Sequence, residues 1–557
     1  MVASIWSPSD ALLASYIEGN EIYASKVWGI RADNSYDNSA NIQEMCYQLN
    51  NDGRGAKVIL PRGIINYQTD FVITNPLVTI QGQGKDCSVL KQNNLTKDGV
   101  FFNYPIIFGL PTGGGIRDLS IESGNGFISS GSYGTGSIGS GVKVRNAADN
   151  FLGFNLGIYN FGRHIQLNHC FYTQWQFIRG LFAEFSAVEL DLDGTNIGAS
   201  NTFSFSKFSN LGYTGPQITR GLSVKASGGE QFHGLEFTSF GYGIVLKPES
   251  MSQQVLYLNF NSVWSDTSEF ENWTIDGTDG RVWSTSMTNC SAAYSLDGHG
   301  ILVTGANVDS LNWLGGRIRE NAKHGAYHFG GTRVNIRAAE VAANSKNYPG
   351  VYDGVNIAPN INEDAIQANR IGNYASLSNT QQVGVNIAAG TGQRHLISDN
   401  NLYGNLLAPV SYNTSSLNNE ITNNTPTDKP NTNTSNAIPY SGGVATAIPA
   451  ASTGYVGANG VFNAATQDSP WVVPRTGFIR EIYAKFGAAP GAGQSFTYTL
   501  FVNGVATSMT FTAADSATSG YTQNNGQIVN FGDTIELRVV TSAGAAVTKH
   551  RYLIVFE

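Results

Sequence analysis

The sequence predicts an all-β chain whose body is a parallel β-helix, and three observations carry that prediction. Seven stretches begin with a glycine and continue with alternating apolar residues: Gly141-Val142-Lys143-Val144, Gly221-Leu222-Ser223-Val224, Gly243-Ile244-Val245-Leu246, Gly300-Ile301-Leu302-Val303, Gly325-Ala326-Tyr327-His328, Gly354-Val355-Asn356-Ile357 and Gly384-Val385-Asn386-Ile387. The last four begin 25, 29 and 30 residues apart, about the contour of one coil of three short strands with their turns. A single coil cannot bury its own apolar side, so only stacked neighbours make a continuous core. Asn289, Asn321, Asn344, Asn369, Asn373, Asn400 and Asn401 recur after short apolar segments, as expected of residues that tolerate the left-handed conformation of a sharp corner. Composition agrees: 64 Gly, 25 Tyr and 29 Phe with only 13% charged residues suit a tightly turning β chain.

Residues 1–25 contain Leu12, Leu13, Tyr16, Ile17 and Ile22 at roughly helical spacing, which predicts a short N-terminal neck helix over 8–25 that associates with copies of itself. Residues 26–115 form an opening segment with one helix, Asn38 to Asn50, and strands at Lys57–Leu60 and Val78–Gln81. The coils run over 116–425. Thr425 to Ser435 has two prolines and no large apolar residue, so 426–445 reads as a linker. Beyond it, over 446–557, strict alternation in Phe496–Val502 meets the hairpin signal Asn503-Gly504. With further strands at Val505–Phe511, Thr534–Val540 and Tyr552–Phe556, this predicts an antiparallel β-sandwich for trimerisation or glycan binding, Trp471 being a possible platform.

Several classes are disfavoured. A net charge of −8 with dispersed Lys and Arg argues against nucleic acid. No stretch approaches the roughly 20 apolar residues of a membrane span, and the N-terminus shows no basic region before an apolar core, so neither insertion nor export is expected. Cys46, Cys87, Cys170 and Cys290 lie far apart and read as buried thiols.

The segments Trp28-Gly29-Ile30-Arg31-Ala32-Asp33-Asn34, Asn41-Ile42-Gln43, Gly55-Ala56-Lys57-Val58-Ile59-Leu60-Pro61-Arg62-Gly63 and Val78-Thr79-Ile80-Gln81-Gly82-Gln83-Gly84 resemble the opening motif of the pectate-lyase-like right-handed parallel β-helix superfamily. Asn34 stands where that motif usually has glycine. Together with a neck and a C-terminal sandwich, the layout resembles bacteriophage tailspikes, the capsular polysaccharide depolymerases. The resemblance implies a homotrimer that binds and cleaves a bacterial capsular polysaccharide or O-antigen. It also implies a virion component made in the host cytoplasm, joined to the phage tail or baseplate through an N-terminal region, and needing no cofactor.

Glycoside hydrolysis commonly uses two carboxyl groups, about 5–5.5 Å apart for retention and about 6.5–9.5 Å apart for inversion. Coils stack at about 4.8 Å, so carboxylates one or two coils apart fall in these ranges. Aligning the coils places Glu236, Arg317 and Glu340 at equivalent outward positions, with Asp266 and Glu320 nearby, so Glu236, Asp266, Glu320 and Glu340 form the candidate catalytic pool. Trp264 and Trp283 are candidate sugar platforms, and Arg317, Arg319, Lys323 and His324 candidate partners for acidic substituents. Trp273 lies in the same aromatic-rich stretch, and Trp313, in an alternating strand, reads as core. A solvated face is the plain alternative for each carboxylate. A polysaccharide lyase acting by β-elimination on a uronate would use Arg319, Lys323 and His324, and a non-enzymatic adhesin fibre would use none of the carboxylates. If the groove is shared between chains, Asp191, Asp193, Asp297 or Asp309 enter.

Overall fold

In the computed structural model, the described residues are 17–18, 21–51, 55–105, 113–124, 137–192, 198–212, 218–372, 380–390, 392–412, 419–425, 438–444, 446–456, 462–463, 470–473, 477–522 and 527–556. The chain divides into two compact units, 1–432 and 433–557.

The first unit is a parallel β-helix. One sheet has 13 strands, from Val72–Ile73 through Val100–Asn103, Ser140–Arg145 and so on to Ala408–Tyr412, each pairing in parallel with the next coil. Its central inward column runs Val100, Val142, Ile165, Val188, Leu222, Ile244, Trp273, Ile301, Ala326, Val355, Val385 and Val410. All seven glycine-led stretches fall on this one sheet, in one register. Glycine is needed because the next coil leaves no room: a Cβ on Gly300 would lie 2.5 Å from the Gly325 carbonyl, and one on Gly325 would lie 2.5 Å from that of Gly354. The remaining strands build a larger, 30-stranded sheet, also largely parallel. It contains two long ladders, such as Gln231–His233 onto Asn259–Asn261 and Glu236–Thr238 onto Trp264–Asp266.

The corner asparagines behave differently from the expectation. Among those described only Asn289 takes positive φ, at 51°. In four coils the left-handed residue is the one just before the asparagine: Glu320, Ala343, Ala368 and Asp399. The asparagines themselves turn inward and hydrogen-bond from coil to coil. Asn272 Nδ2 donates to Asn321 Oδ1 at 2.8 Å, Asn321 to Asn344 at 2.8 Å, and Asn344 to Gln381 at 3.0 Å. Asn369, Asn400 and Asn424 repeat the pattern at another corner. Buried amides joined in this way satisfy groups that would otherwise be costly in an apolar core. Asn373 lies outside the described residues.

At the N-terminus, residues 8–16 and 19–20 of the expected neck helix lie outside the described residues, and 17–18 and 21–23 correct that expectation. Ile17–Glu18 pairs antiparallel with Glu21–Tyr23, which in turn joins Lys57–Ile59 in parallel. Ile22 is thereby buried in the first coil, and burial of its side chain outweighs the helical spacing. A single helical turn, Ala24–Val27, follows. The helix expected at 38–50 is Ser39–Asn51, burying Ile42, Met45, Cys46 and Leu49 against the coil end. All four cysteines are free, three of them buried.

The second unit packs two antiparallel sheets over a core that includes Phe496, Tyr498, Leu500, Leu537 and Ile554. Asn503 and Gly504 both take positive φ, 50° and 77°, as the two-residue hairpin requires. The sandwich reaches into the expected linker: Ile438–Gly443 pairs antiparallel with Arg551–Phe556. Trp471 packs edge-on against Tyr552 at 5.7 Å. Residues 426–437 lie outside the described set.

Candidate functional site

The ladder carrying the sequence-derived carboxylates reads Lys207, Glu236, Trp264, Ser291, Arg317, Glu340, Arg370 from coil to coil. Glu236, Arg317 and Glu340 are thus equivalent positions, but four coils separate the two glutamates, about 19 Å. That distance is too long for a catalytic pair. Glu236 instead holds Lys207 at 2.6 Å, and Trp264 stands 54% exposed beside it.

Asp266 and Glu320, two coils apart, both act on Tyr294. The Tyr294 hydroxyl bonds to Glu320, which with burial raises the phenol above its ordinary range, and Asp266 adds to the rise. Lys346 lies 5.0 Å from the Tyr294 ring and 3.5 Å from Glu320, and Arg319 approaches Glu320 at 4.0 Å. Trp283 belongs to another corner, with Arg281 over its ring at 4.8 Å and Tyr257 at 5.8 Å. Trp273 and Trp313 are core, edge-on to each other at 5.5 Å. Asp309 pairs with Arg333 on the surface, and Asp193 lies outside the described residues.

The large concavity is elsewhere, on the outer side of the 13-stranded sheet. A groove of about 570 Å³ crosses its coils and is lined by Arg163, Phe185, Glu189, Ile218, Arg220, Lys225, Tyr242, Val245, Lys247, Glu271, Thr274, Asp276, Leu302 and Thr304. These are the alternate, outward positions of the sheet's strands and their flanks. Most of its charges are paired. Arg163 Nε donates to Glu189 Oε1 at 2.7 Å, and Lys225 reaches Asp191 at 3.2 Å, Glu249 at 3.4 Å and Glu189 at 3.8 Å. Lys247 holds Asp276 at 2.9 Å, which with hydrogen bonds from Thr278 keeps that carboxyl below its usual range despite burial.

Glu271 is not held by such an ion pair among the described residues. Burial pushes its carboxyl above the usual range, the charge of Asp297 adds to the rise, and Lys323 opposes it. The Asp297 backbone N–H donates to the Glu269 carbonyl at 2.8 Å, one coil on and two residues back from Glu271, so the two backbone positions are about 8 Å apart. Lys323 lies 3.6 Å from Asp297, and the Tyr348 hydroxyl donates to the same carboxylate at 3.3 Å. Tyr242 and Phe270, ring centroids 5.0 Å apart, stand beside Glu271 as an aromatic wall.

Next to Lys323 in the chain, His324 stacks on His299 at 5.3 Å, with Tyr327 5.3 Å from His299 and 5.1 Å from His324. Burial lowers both imidazoles, to about 3 and about 4, so both are neutral. His299 Nδ1 accepts the His324 N–H at 3.2 Å and His324 Nδ1 accepts the Asp353 N–H at 2.8 Å. The proton of each ring therefore sits on Nε2, which equips both to donate hydrogen bonds. Among the described residues no group of three or more His, Cys, Asp or Glu side chains is arranged to hold a metal ion.

Lys323, His324 and Asp297 were legible as candidates; Glu271 was not. Its coil carries Asn272-Trp273 where seven of the neighbouring coils carry the glycine-led stretches, so the glycine-led pattern skips that coil. The alternation around Trp273-Thr274-Ile275-Asp276 was the signal that remained.

No known family profile and no curated protein matches the chain. Solved structures do. Tailspike protein 3 of bacteriophage CBA120 is 14% identical with a TM-score of 0.51, over 74% of this chain and 62% of that one. The chain therefore spans less than two thirds of that tailspike. The Dettilon tailspike protein is 10% identical over 97% of this chain and 95% of its own, with a TM-score of 0.47. A mannuronan C-5 epimerase A-module from Azotobacter vinelandii is 13% identical over 73% and 99%, with a TM-score of 0.43. At such identities the likeness establishes the fold, the right-handed parallel β-helix.

Proposed function

We propose that the chain is a phage tailspike depolymerase that binds a bacterial capsular polysaccharide or O-antigen and hydrolyses its glycosidic bonds. The observation that carries the reading is a protonatable, partly buried Glu271 beside an ion-paired Asp297 at one side of a long groove. Glu271 protonates the leaving glycosidic oxygen, a role that needs the raised carboxyl burial confers. Asp297, ion-paired with Lys323, attacks the anomeric carbon or activates water. Tyr242 and Phe270 pack on sugar faces, and the Nε2–H groups of His299 and His324 are available to hydroxyls. In this reading the protein is a homotrimer carried on a phage tail or baseplate.

Elimination is less favoured, because a base must present a free lone pair and His324 offers an N–H. The deciding experiment incubates the protein with capsules and O-antigens from a bacterial panel and reads products by mass spectrometry. Fragments that have gained one water, lost in Glu271→Gln, support hydrolysis. Unsaturated fragments absorbing at 235 nm would replace it with a lyase, and binding without fragments would leave an adhesin.

A further inference from the structure

Four basic side chains line the groove, and they are not equivalent. Arg163, Lys225 and Lys247 each hold a carboxylate within 3.2 Å. Arg220 has no carboxylate within 4.0 Å among the described residues, and its side chain makes one long contact, 3.4 Å to Ser223 Oγ. Yet it is half-buried, and it lies one coil from Tyr242 in register. A guanidinium carries five N–H donors in a fixed fork, so most of its bonding capacity faces the groove unused by the protein.

We propose that Arg220 is the seat of a substrate carboxylate, so that the groove takes an acidic glycan, one carrying a uronate-type sugar. The argument is charge complementarity. The groove's other cations are cancelled internally, which leaves Arg220 as the group able to pair with an incoming planar oxyanion, and a fork-to-carboxylate contact is bidentate. Tyr242 separates Arg220 from the Glu271 coil, two coils or about 10 Å in all. A sugar resting on Tyr242 would then present the carboxylate of its neighbour to Arg220 while its own linkage faces Glu271. This rests on the depolymerase reading for the position of the cleaved bond, but not for the carboxylate contact itself.

The test measures binding in the Glu271→Gln background, using the panel polysaccharides native and after carbodiimide–borohydride reduction of their carboxyl groups. Native polymer is expected to bind at least about tenfold more tightly than reduced polymer, the worth of a charge-assisted contact. Arg220→Gln should remove that difference and leave affinity for reduced polymer unchanged, with Arg220→Lys recovering only part of it. Equal weakening toward native and reduced polymer, or binding confined to neutral polymers, overturns the proposal. Melting temperatures equal to the parent protein guard against a folding defect. If the wild type cleaves nothing while the Arg220 dependence persists, the carboxylate seat stands and the hydrolase reading falls.

Discussion

Two faces of one solenoid carry similar charges under different conditions. On the third-strand ladder, Lys207 and Glu236 meet at 2.6 Å with side chains 60% and 34% exposed. On the grooved sheet, Lys225 meets three carboxylates with its own side chain 14% exposed. A pair in water is screened and contributes little, whereas a pair withdrawn from water is strongly coupled and costly to break. On the grooved face, burial with the charge of Asp297 raises the Glu271 carboxyl above its usual range, towards one useful for acid catalysis. Concavity, rather than the presence of outward carboxylates, distinguishes the two faces.

The largest break in this comparison should come from Glu271→Gln, which is expected to lower depolymerisation by about 10²–10⁴-fold, the range of a general acid. Glu236→Gln and Glu340→Gln should leave the initial rate within about twofold. Next in size, Trp273→Ala is expected to cost about 3–5 kcal/mol in denaturant unfolding, against less than about 0.5 kcal/mol for exposed Trp264→Ala. Equal losses at the two tryptophans would mean that the ladder face is itself covered.

Lys225→Met should then cost about 2–4 kcal/mol, because it strips Glu189 of one of two cations in a dry site, while Lys207→Met costs less than about 1 kcal/mol. A further effect appears as a slope. Glu230, fully buried and bonded to Ser227 and Asn201, is raised to about 8 by burial from an ordinary 4.5. The folded chain therefore holds a proton that the unfolded chain releases, so this group's contribution to stability is complete below pH 4.5 and is lost as pH rises to about 8. Melting temperature followed across that window should fall less steeply in Glu230→Gln than in the wild type. An unchanged slope would reject the assignment.

Periodic features were legible from the chain. The glycine-led stretches predicted the repeating coil, because an inward apolar residue and a glycine pressed against the next coil's carbonyl are local requirements that recur along the sheet. The asparagines marked the corners for a different reason from the expected one: the preceding residue makes the turn, and the amide bonds its counterpart in the next coil. Within the expected neck, Glu21–Tyr23 is a strand because Ile22 found a strand partner, a gain invisible to helical spacing. Glu271 was missed because its coil replaces glycine with Asn272, a buried member of the asparagine ladder.

By itself the sequence determined the coil, the inward columns and the hairpin at Asn503-Gly504, since each depends on residues close in the chain or on a repeat of fixed period. Which outward carboxylates keep water and which lose it was decided by the tertiary structure alone. The rise at Glu271 depends on burial and on the charge of Asp297 from the next coil, and the openness of Arg220 depends on Glu189, Asp191 and Asp276 having other partners.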